Sequence, residues 1–220
     1  MAERAMVMHA GGMRSLVATA MVVRELDAGR VLLVYMDDGR PDAGARGRAA
    51  ELSGEALGVK RCVTLEVPHL CGPEAERDAA GRPVPMLWAA QALPAALALA
   101  RRHQCDRLVW PASGGGDARA ALGVAERAEL VMALAGLEGA AMPRVQVPLA
   151  ELSDAQVVGL GERLGVDWRL SRSCTSPGVG LGRPGCEACG GCERRAAAFA
   201  AAGVMDPLLV AGAGKRASAA

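Results

Sequence analysis

Residues 5–16, with the sequence AMVMHAGGMRSL, carry the pattern from which the architecture of this chain follows. The segment begins with a short apolar run, passes through two glycines and continues with the spacing typical of an amphipathic helix. A buried strand that turns into a helix is the repeating unit of an open α/β sheet. Such sheets bind their ligands beyond the carboxyl ends of the strands. The segment therefore predicts both a fold class and a candidate binding site.

The rest of the chain repeats this alternation of apolar strand-like runs and amphipathic helical runs. Strands are predicted at residues 5–9, 31–36, 62–67, 108–110 and 145–147. Helices are predicted at about residues 14–27, 42–57, 84–103, 120–137 and 153–164, with a kink at Pro94 and a cap at Ser153. This β-α-β-α order predicts a doubly wound α/β fold with a mostly parallel five-stranded sheet.

The character of the sequence changes after Leu170. Residues 171–191 are rich in glycine and cysteine and show no periodicity, and a short helix is predicted at 193–201. We expect an α/β domain at residues 1–170, a four-cysteine lobe at 171–210 and a disordered tail at 211–220. Hydrophobic residues make up 51% of the 220 residues and charged residues 22%, a balance typical of globular proteins.

Composition also disfavours several classes of protein. The net charge is +1 and aromatic residues make up 2% of the chain, which argues against a general nucleic-acid binder. The longest apolar run, residues 84–100, is too short to span a membrane and is interrupted by Gln91 and Pro94. No signal peptide is recognised, so we expect a cytoplasmic protein that does not bind membranes. In that reducing compartment, cysteines favour metal binding or catalysis over disulfides.

Four of the seven cysteines follow the spacing C-x11-C-x2-C-x2-C: Cys174, Cys186, Cys189 and Cys192. Two residues between thiols allow both sulfur atoms to turn toward one point, and four thiolates complete a tetrahedral shell at about 2.3 Å from zinc. The spacing therefore predicts a closed, structural zinc site. An iron–sulfur cluster is the first alternative, and a set of small buried residues is the second. The isolated Cys62 and Cys105 are interpreted as core or near-core residues.

The turn between the first strand and the first helix is a candidate phosphate site. Its two glycines allow backbone N–H groups to approach an anion closely, and the dipole of the following helix adds attraction. The turn matches neither the Walker A pattern nor G-x-G-x-x-G, and a tight turn without a ligand is the alternative interpretation. The candidate binding residues are His9, Ala10, Gly11, Gly12, Met13, Arg14, Ser15 and Leu16.

Together, the glycine turn and the late four-cysteine loop resemble a known family. The order of a strand, G-G-M-x-S, a helix and a four-cysteine loop is similar to that of 7-cyano-7-deazaguanine synthases, members of the ATP pyrophosphatase-loop superfamily with the signature S-G-G-x-D-S. The specific part is residues 186–207, CEACGGCERRAAAFAAAGVMDP, which follow the family's C-G-x-C-x-x-C, R, F, A-G and D-P ending. The resemblance covers residues 7–207 and also aligns residues 36–40 with the family's F-D-Y-G-Q.

The resemblance implies a PP-loop fold of the HUP type and an ATP-dependent C–N ligase. Enzymes of the family adenylate the carboxylate of 7-carboxy-7-deazaguanine, admit ammonia to form the amide, and activate and dehydrate the amide to the nitrile. ATP, Mg²⁺ and a deazapurine substrate are then the implied partners, and residues 1–170 become a nucleotide-binding domain. The candidate catalytic residues are Ser15, Arg14 and Asp37. A homodimer is left open.

The sequence departs from the family pattern at several positions. Ala10 and Arg14 replace the first serine and the aspartate of the loop, Leu87 and Trp88 replace an arginine and an asparagine, and Arg40 replaces a glutamine. The planar guanidinium of Arg14 can donate two hydrogen bonds to an oxyanion, so Arg14 is expected to bind the phosphates directly. The alternatives are a degenerate paralogue that binds a nucleotide or deazapurine without turnover, a partner subunit of an assembly, and a zinc-ribbon-like nucleic-acid module.

Two pairs of charged residues admit two interpretations each. Asp37 and Asp38 end the second predicted strand at the ligand edge of the sheet, where they contact magnesium or substrate, or form a turn. Arg194 and Arg195 are interpreted as a solvated helix face, although the resemblance also gives them a functional interpretation.

Overall fold

The computed structural model describes residues 3–67, 88–137, 139 and 141–209. The predicted loop at 68–83, the beginning of the predicted helix at 84–103 with Leu87, and the predicted tail at 211–220 lie outside the described residues. In the part that is described, none of the helices is long and apolar enough to cross a membrane.

The described residues form one sheet of five strands: β1 (Ala5–Met8), β2 (Val31–Asp37), β3 (Cys62–Glu66), β4 (Arg107–Val109) and β5 (Arg144–Gln146). The strand order is β3-β2-β1-β4-β5, and every pairing is parallel. Val7 of β1, for example, stands opposite Leu33 on one side and Val109 on the other. The predicted doubly wound sheet is confirmed. The strand order reverses at β1, so the carboxyl end of β1 is the expected ligand position.

The α-helices in the described ranges are α1 (Met13–Leu26), α2 (Ala43–Ala56), α3 (Trp88–Arg102), α4 (Ala118–Leu137), α5 (Asp154–Leu164) and α6 (Gly190–Ala202). Helix α5 begins at the predicted cap, where the Ser153 hydroxyl accepts the N–H of Gln156. Helix α6 begins three residues before the predicted start at Glu193. Gly190 and Gly191 occupy its first turn, and glycine disfavours a helix prediction because it loses the most backbone freedom on folding.

Two hydrophobic clusters cover the two faces of the sheet. Side chains alternate along β1, so Val7 enters one cluster while Met6 enters the other. The first cluster contains residues of α1, α5 and α6, and the second contains residues of α3 and α4. Phe199 of α6 is buried in the first cluster and packs edge to face on Trp168, with ring centroids 5.3 Å apart. The helix of the four-cysteine lobe therefore shares a core with the α/β sheet.

Candidate functional site

The binding loop, residues 9–12, connects β1 to α1 and packs against α2. Gly11 has a φ of +71°, and a β-carbon there would lie 2.6 Å from the carbonyl oxygen of Arg46 and 2.8 Å from the β-carbon of Ala49. This position therefore requires glycine both for its backbone conformation and for its close approach to α2. Gly12 has more room than Gly11. Among the described residues, the nearest atom to a β-carbon at Gly12 would be the carbonyl oxygen of Arg172, at 3.7 Å.

The amide groups of the two glycines point inside the loop. The N–H of Gly11 donates to Nδ1 of His9 at 3.1 Å, and the N–H of Gly12 donates to Oγ of Ser15 at 3.2 Å. The Ser15 hydroxyl in turn donates to the Gly12 carbonyl at 3.0 Å. The first turn of α1, which begins at Met13, holds the N–H groups that an anion can reach at this helix end.

His9 fixes the shape of the binding loop. It is 1% exposed, and burial lowers its pKa to about 4, so the ring is neutral at physiological pH. Because Nδ1 accepts the N–H of Gly11, the ring proton is on Nε2, which lies 3.2 Å from Oγ of Ser53. The Ser53 hydroxyl donates onward to the carbonyl of Ala49 in α2. His9 thus ties the loop to α2 through one defined tautomer.

An open cleft of about 300 Å³ lies between the binding loop, the N-terminus of α5 and the four-cysteine lobe. Three guanidinium-bearing residues border it, Arg14, Arg172 and Arg194, together with the carboxylate of Asp154. Nε of Arg14 lies 2.7 Å from Oδ1 of Asp154, and the two side chains are 36% and 22% exposed. The positive charge and the N-terminus of α1 make this cleft attractive to a phosphate group.

Sequence reasoning did not identify Asp154 or Arg172 as site residues. Ser153 is a helix cap, so the sequence does place Asp154 at the N-terminus of a helix. The cap does not show that this N-terminus faces the binding loop. Arg172 carried no local signal. Its backbone N–H donates to the carbonyl of Gly11 at 2.7 Å, which joins the lobe to the binding loop.

A second, more apolar cavity of about 150 Å³ adjoins the cleft at the carboxyl ends of β1, β2 and β4. Met8, Met36 and Trp110 contribute to its walls, and it shares Ala10 and Pro111 with the cleft. Apolar walls that include an indole suit a planar ring.

The structure places the two aspartates at the end of β2 away from the cleft. The Asp37 carboxylate accepts the N–H of Gly39 at 3.0 Å, which is the geometry of a turn. Asp38 is buried and pairs with Arg46 and, at 3.1 Å, with Nε of Arg40. Arg46 lines the apolar cavity, so Asp38 supports a wall of that cavity. Neither aspartate is among the described residues that border the two cavities.

The four cysteines of the lobe come together as predicted. The sulfur atoms of Cys174, Cys186, Cys189 and Cys192 all lie within 4.8 Å of one another, an arrangement that could hold a metal. The N–H groups of Ser176 and Cys186 approach Sγ of Cys174 at 3.4 Å each. A cysteine that binds metal carries a negative charge on its sulfur, and these N–H groups stabilise that charge.

Two further features describe the cysteine cluster. The N–H of Thr175 lowers the pKa of Cys189 to about 5, whereas burial raises that of Cys192, so a cation would have to displace the Cys192 proton. A β-carbon at Gly191 would lie 1.9 Å from the carbonyl oxygen of Ser173, so the two backbone segments can approach this closely only because residue 191 is glycine.

Cys62 lies apart from the cluster, and burial raises its pKa to about 11. A thiol with such a raised pKa is a poor nucleophile and metal ligand, consistent with a structural role for Cys62.

The interpretation of Arg195 as a solvated residue is wrong. Arg195 is 5% exposed, and its guanidinium makes a bidentate pair with Asp206 at 2.6 and 2.9 Å. The same guanidinium donates to the Ser171 hydroxyl at 2.6 Å and to the Trp168 carbonyl at 3.1 Å. It therefore ties α6 to the segments on either side of it. Arg194, by contrast, is exposed and borders the cleft.

Comparisons with known proteins identify relatives of this chain. Residues 124–203 match the family model described as queuosine biosynthesis protein QueC. The chain is 33% identical to the 7-cyano-7-deazaguanine synthase of Anaeromyxobacter sp. (strain Fw109-5), over 94% of this chain and 96% of that protein. It is 31% identical to the 7-cyano-7-deazaguanine synthase of Anaeromyxobacter dehalogenans (strain 2CP-C), over 94% of this chain and 95% of that one.

A solved structure shares the fold. The U34-tRNA thiolase NcsA from Methanococcus maripaludis, described with its [4Fe-4S] cluster, superposes with a TM-score of 0.50 at 17% identity. The match covers 76% of this chain and 58% of the thiolase. It shows that the thiolase and this chain share the α/β fold.

Proposed function

The chain belongs to the 7-cyano-7-deazaguanine synthase family of queuosine biosynthesis, and from this membership we propose that it is an ATP-dependent C–N ligase acting on 7-carboxy-7-deazaguanine. The product in the name of its relatives is a nitrile. A nitrile made from a carboxylate has lost two oxygen atoms. Each oxygen needs an activating group to leave, and AMP from ATP supplies that group.

The observation that carries the proposal is the cleft at the carboxyl end of β1. We place the phosphates of ATP at the N-terminus of α1, beside Arg14 and Arg194, because cations and free N–H groups meet there. The base then lies in the adjoining apolar cavity, next to Trp110. The two cavities share Ala10 and Pro111, so one nucleotide can occupy both.

The proposed reaction has two activation steps. A carboxylate oxygen of the substrate attacks the α-phosphorus of ATP and pyrophosphate leaves; ammonia then attacks the carbonyl carbon, and AMP departs with one oxygen and a proton is released. The amide oxygen then attacks the α-phosphorus of a second ATP and a second pyrophosphate leaves; loss of AMP with the oxygen, and of two protons from nitrogen, gives the nitrile. The chain orients the reactants, and Arg14 and Arg194 stabilise the charge on the departing pyrophosphate.

Magnesium, which the family implies, finds a carboxylate in the cleft at Asp154. Mg²⁺ takes oxygen ligands and keeps several waters, so one carboxylate together with nucleotide phosphates is a sufficient set. Asp154 is paired with Arg14 through Oδ1 at 2.7 Å, so Oδ2 is the oxygen that it can offer to the metal. When bound, magnesium would offset the negative charge of the phosphates.

We propose zinc as the metal of the four-cysteine site. Four thiolates at about 2.3 Å from one zinc ion lie about 3.8 Å from each other, close to the spread of the sulfur atoms here. A four-iron cluster carries its thiolates on separate corners and needs them further apart. With four protein ligands the site has no open position, so its role is structural.

The relatives do not favour the alternative of a paralogue without turnover, because both are named as synthases. The cytoplasm remains our expected location. The homodimer stays an expectation.

A turnover assay with ATP, ammonia and 7-carboxy-7-deazaguanine, read by mass spectrometry, tests the proposal. We expect the native chain to form the nitrile and AMP. Gly12→Val should abolish AMP formation without unfolding the protein, because its side chain enters the cleft while its β-carbon is tolerated. Gly12→Ala is the matched control and should keep most activity. Absence of nitrile from the native chain, or full activity of Gly12→Val, would contradict the proposal.

A further inference from the structure

A third cavity, of about 200 Å³, lies inside the four-cysteine lobe, between residues 171–185 and α6. Val179, Leu181 and Leu208 contribute apolar walls, and Arg183 and Glu193 add charged groups. Its lining is mainly apolar, with a few polar groups at defined positions. Such a lining suits a small flat ring that carries polar groups along its edge.

The three cavities form a row. The apolar cavity and the cleft share Ala10 and Pro111, and the cleft and the lobe cavity share Arg172 and Ser173. An acceptor that attacks the α-phosphate has to sit in a space that adjoins the phosphates but is separate from the base. We propose that the lobe cavity binds this acceptor, a planar deazaguanine carboxylic acid, with its carboxylate directed toward Ser173 and the cleft. This inference rests on the proposed function.

Glu193 supplies the recognition of the ring edge. A deazaguanine ring presents two neighbouring donors, the N1–H and the exocyclic amino group, and a carboxylate accepts both at once. Glu193 lies in the first turns of α6 and lines the cavity. In the described part of the chain, no hydrogen bond or ion pair engages its carboxylate. The group is therefore available to a ligand.

Arg172 shapes the cavity from the other side. Its side chain is buried, and its two terminal nitrogens donate to the carbonyl oxygens of Val179 and Ser176. These bonds hold residues 176–179 in place, and Val179 among them lines the cavity. Ser173, the next residue, lies at the boundary with the cleft, where its hydroxyl can donate to the acceptor carboxylate.

Binding of 7-carboxy-7-deazaguanine to the full, zinc-loaded chain tests the inference, measured by calorimetric titration with and without a non-hydrolysable ATP analogue. Ala196→Phe should fill the cavity and Glu193→Gln should remove the ring-edge acceptor. Each is expected to weaken binding of the acid by about tenfold or more, with binding of the ATP analogue unchanged. Ala197→Phe is the matched control, because Ala196 and Ala197 are both exposed on α6 and only Ala196 lines the cavity.

The outcomes separate this inference from the proposed function. Unchanged affinity for the acid in both variants overturns the inference, and nitrile formation by the native chain would still support the ligase. Loss of affinity in both variants supports the inference even where turnover fails. If Ala196→Phe loses its zinc, Glu193→Gln decides alone. A native chain that does not bind the acid in either condition overturns the inference.

Discussion

At the scale of single residues, His9 controls the shape of the binding loop. The loop could be expected to present both glycine amides to a phosphate, but His9 and Ser15 accept them instead. The direction of the Gly11 N–H depends on Ser53, which lies 44 residues from His9 in the sequence and holds the ring of His9. No local pattern in the sequence contains that information. The turn itself was predictable, whereas the direction of its N–H groups was not.

We predict that His9 makes the folded protein sensitive to acid. Burial lowers the pKa of His9 from 6.5 to about 4, so the unfolded chain takes up a proton at a higher pH than the folded chain does. The stabilisation is complete above about pH 6.5 and is lost as the pH falls toward 4, by on the order of 3 kcal/mol. Urea unfolding of the native chain and of His9→Asn, compared across this range, measures it.

The difference in unfolding free energy between these two proteins should shrink as the solution becomes more acidic. Carboxylates that titrate in the same range affect both proteins alike and cancel in the difference. A difference that stays constant with pH would mean that the neutral ring of His9 does not hold the loop.

At the scale of elements, α1 and α5 meet across the cleft through Arg14 and Asp154. The Asp154 carboxylate pairs with the guanidinium of Arg14, which was expected to bind phosphate directly. A nucleotide therefore has to compete with Asp154 for Arg14. The starts of both helices followed from their sequences to within a residue or so, because a glycine turn and a serine cap mark them. The sequence did not show that the N-termini of the two helices face each other, because this depends on how the helices pack on the sheet.

We predict that Asp154→Asn strengthens ATP binding in the absence of magnesium by about two- to fivefold, because it frees Arg14 from a partly exposed ion pair. Added magnesium should then give little further gain, and the affinity should fall more steeply with salt. Calorimetric titration of ATP with and without Mg²⁺ measures both effects. Asp167→Asn is the control, because it breaks the exposed pair with Arg169 at 2.9 Å. Weaker binding by Asp154→Asn without magnesium would refute the competition.

At the scale of the whole molecule, the lobe and the sheet depend on each other. Phe199 of α6 is buried in the core beside Trp168, and Arg195 bonds the Trp168 carbonyl and Asp206. Sequence reasoning placed Arg195 in solvent because the alanine-rich helix has little apolar periodicity to show which face is buried. For the cysteines, the spacing in the sequence was sufficient to predict that their sulfur atoms come together. Four ligands of one ion have to converge on it, regardless of where the lobe lies on the sheet.

We predict about one zinc ion per chain, and that Cys189→Ser loses the metal. Its effect should extend beyond the lobe: amide exchange should accelerate in α6 and also in α5, because the two helices share the first hydrophobic cluster. Metal analysis and hydrogen exchange measure the two effects. Cys62→Ser is the matched control and should keep its zinc. A metal-free native chain that is stable to chelator would contradict the prediction.

The contacts that close the cleft have a consequence for synthesis of the protein. Arg14 and Asp154 are separated by 140 residues, and the Gly11 carbonyl is bonded to the still later Arg172. A ribosome therefore exposes the loop long before the residues that complete its walls. A nascent chain stalled between them carries β1 and α1 without a closed cleft, so premature termination yields a product that cannot sequester the ligand. Assembly of the site is confined to the late stage of translation.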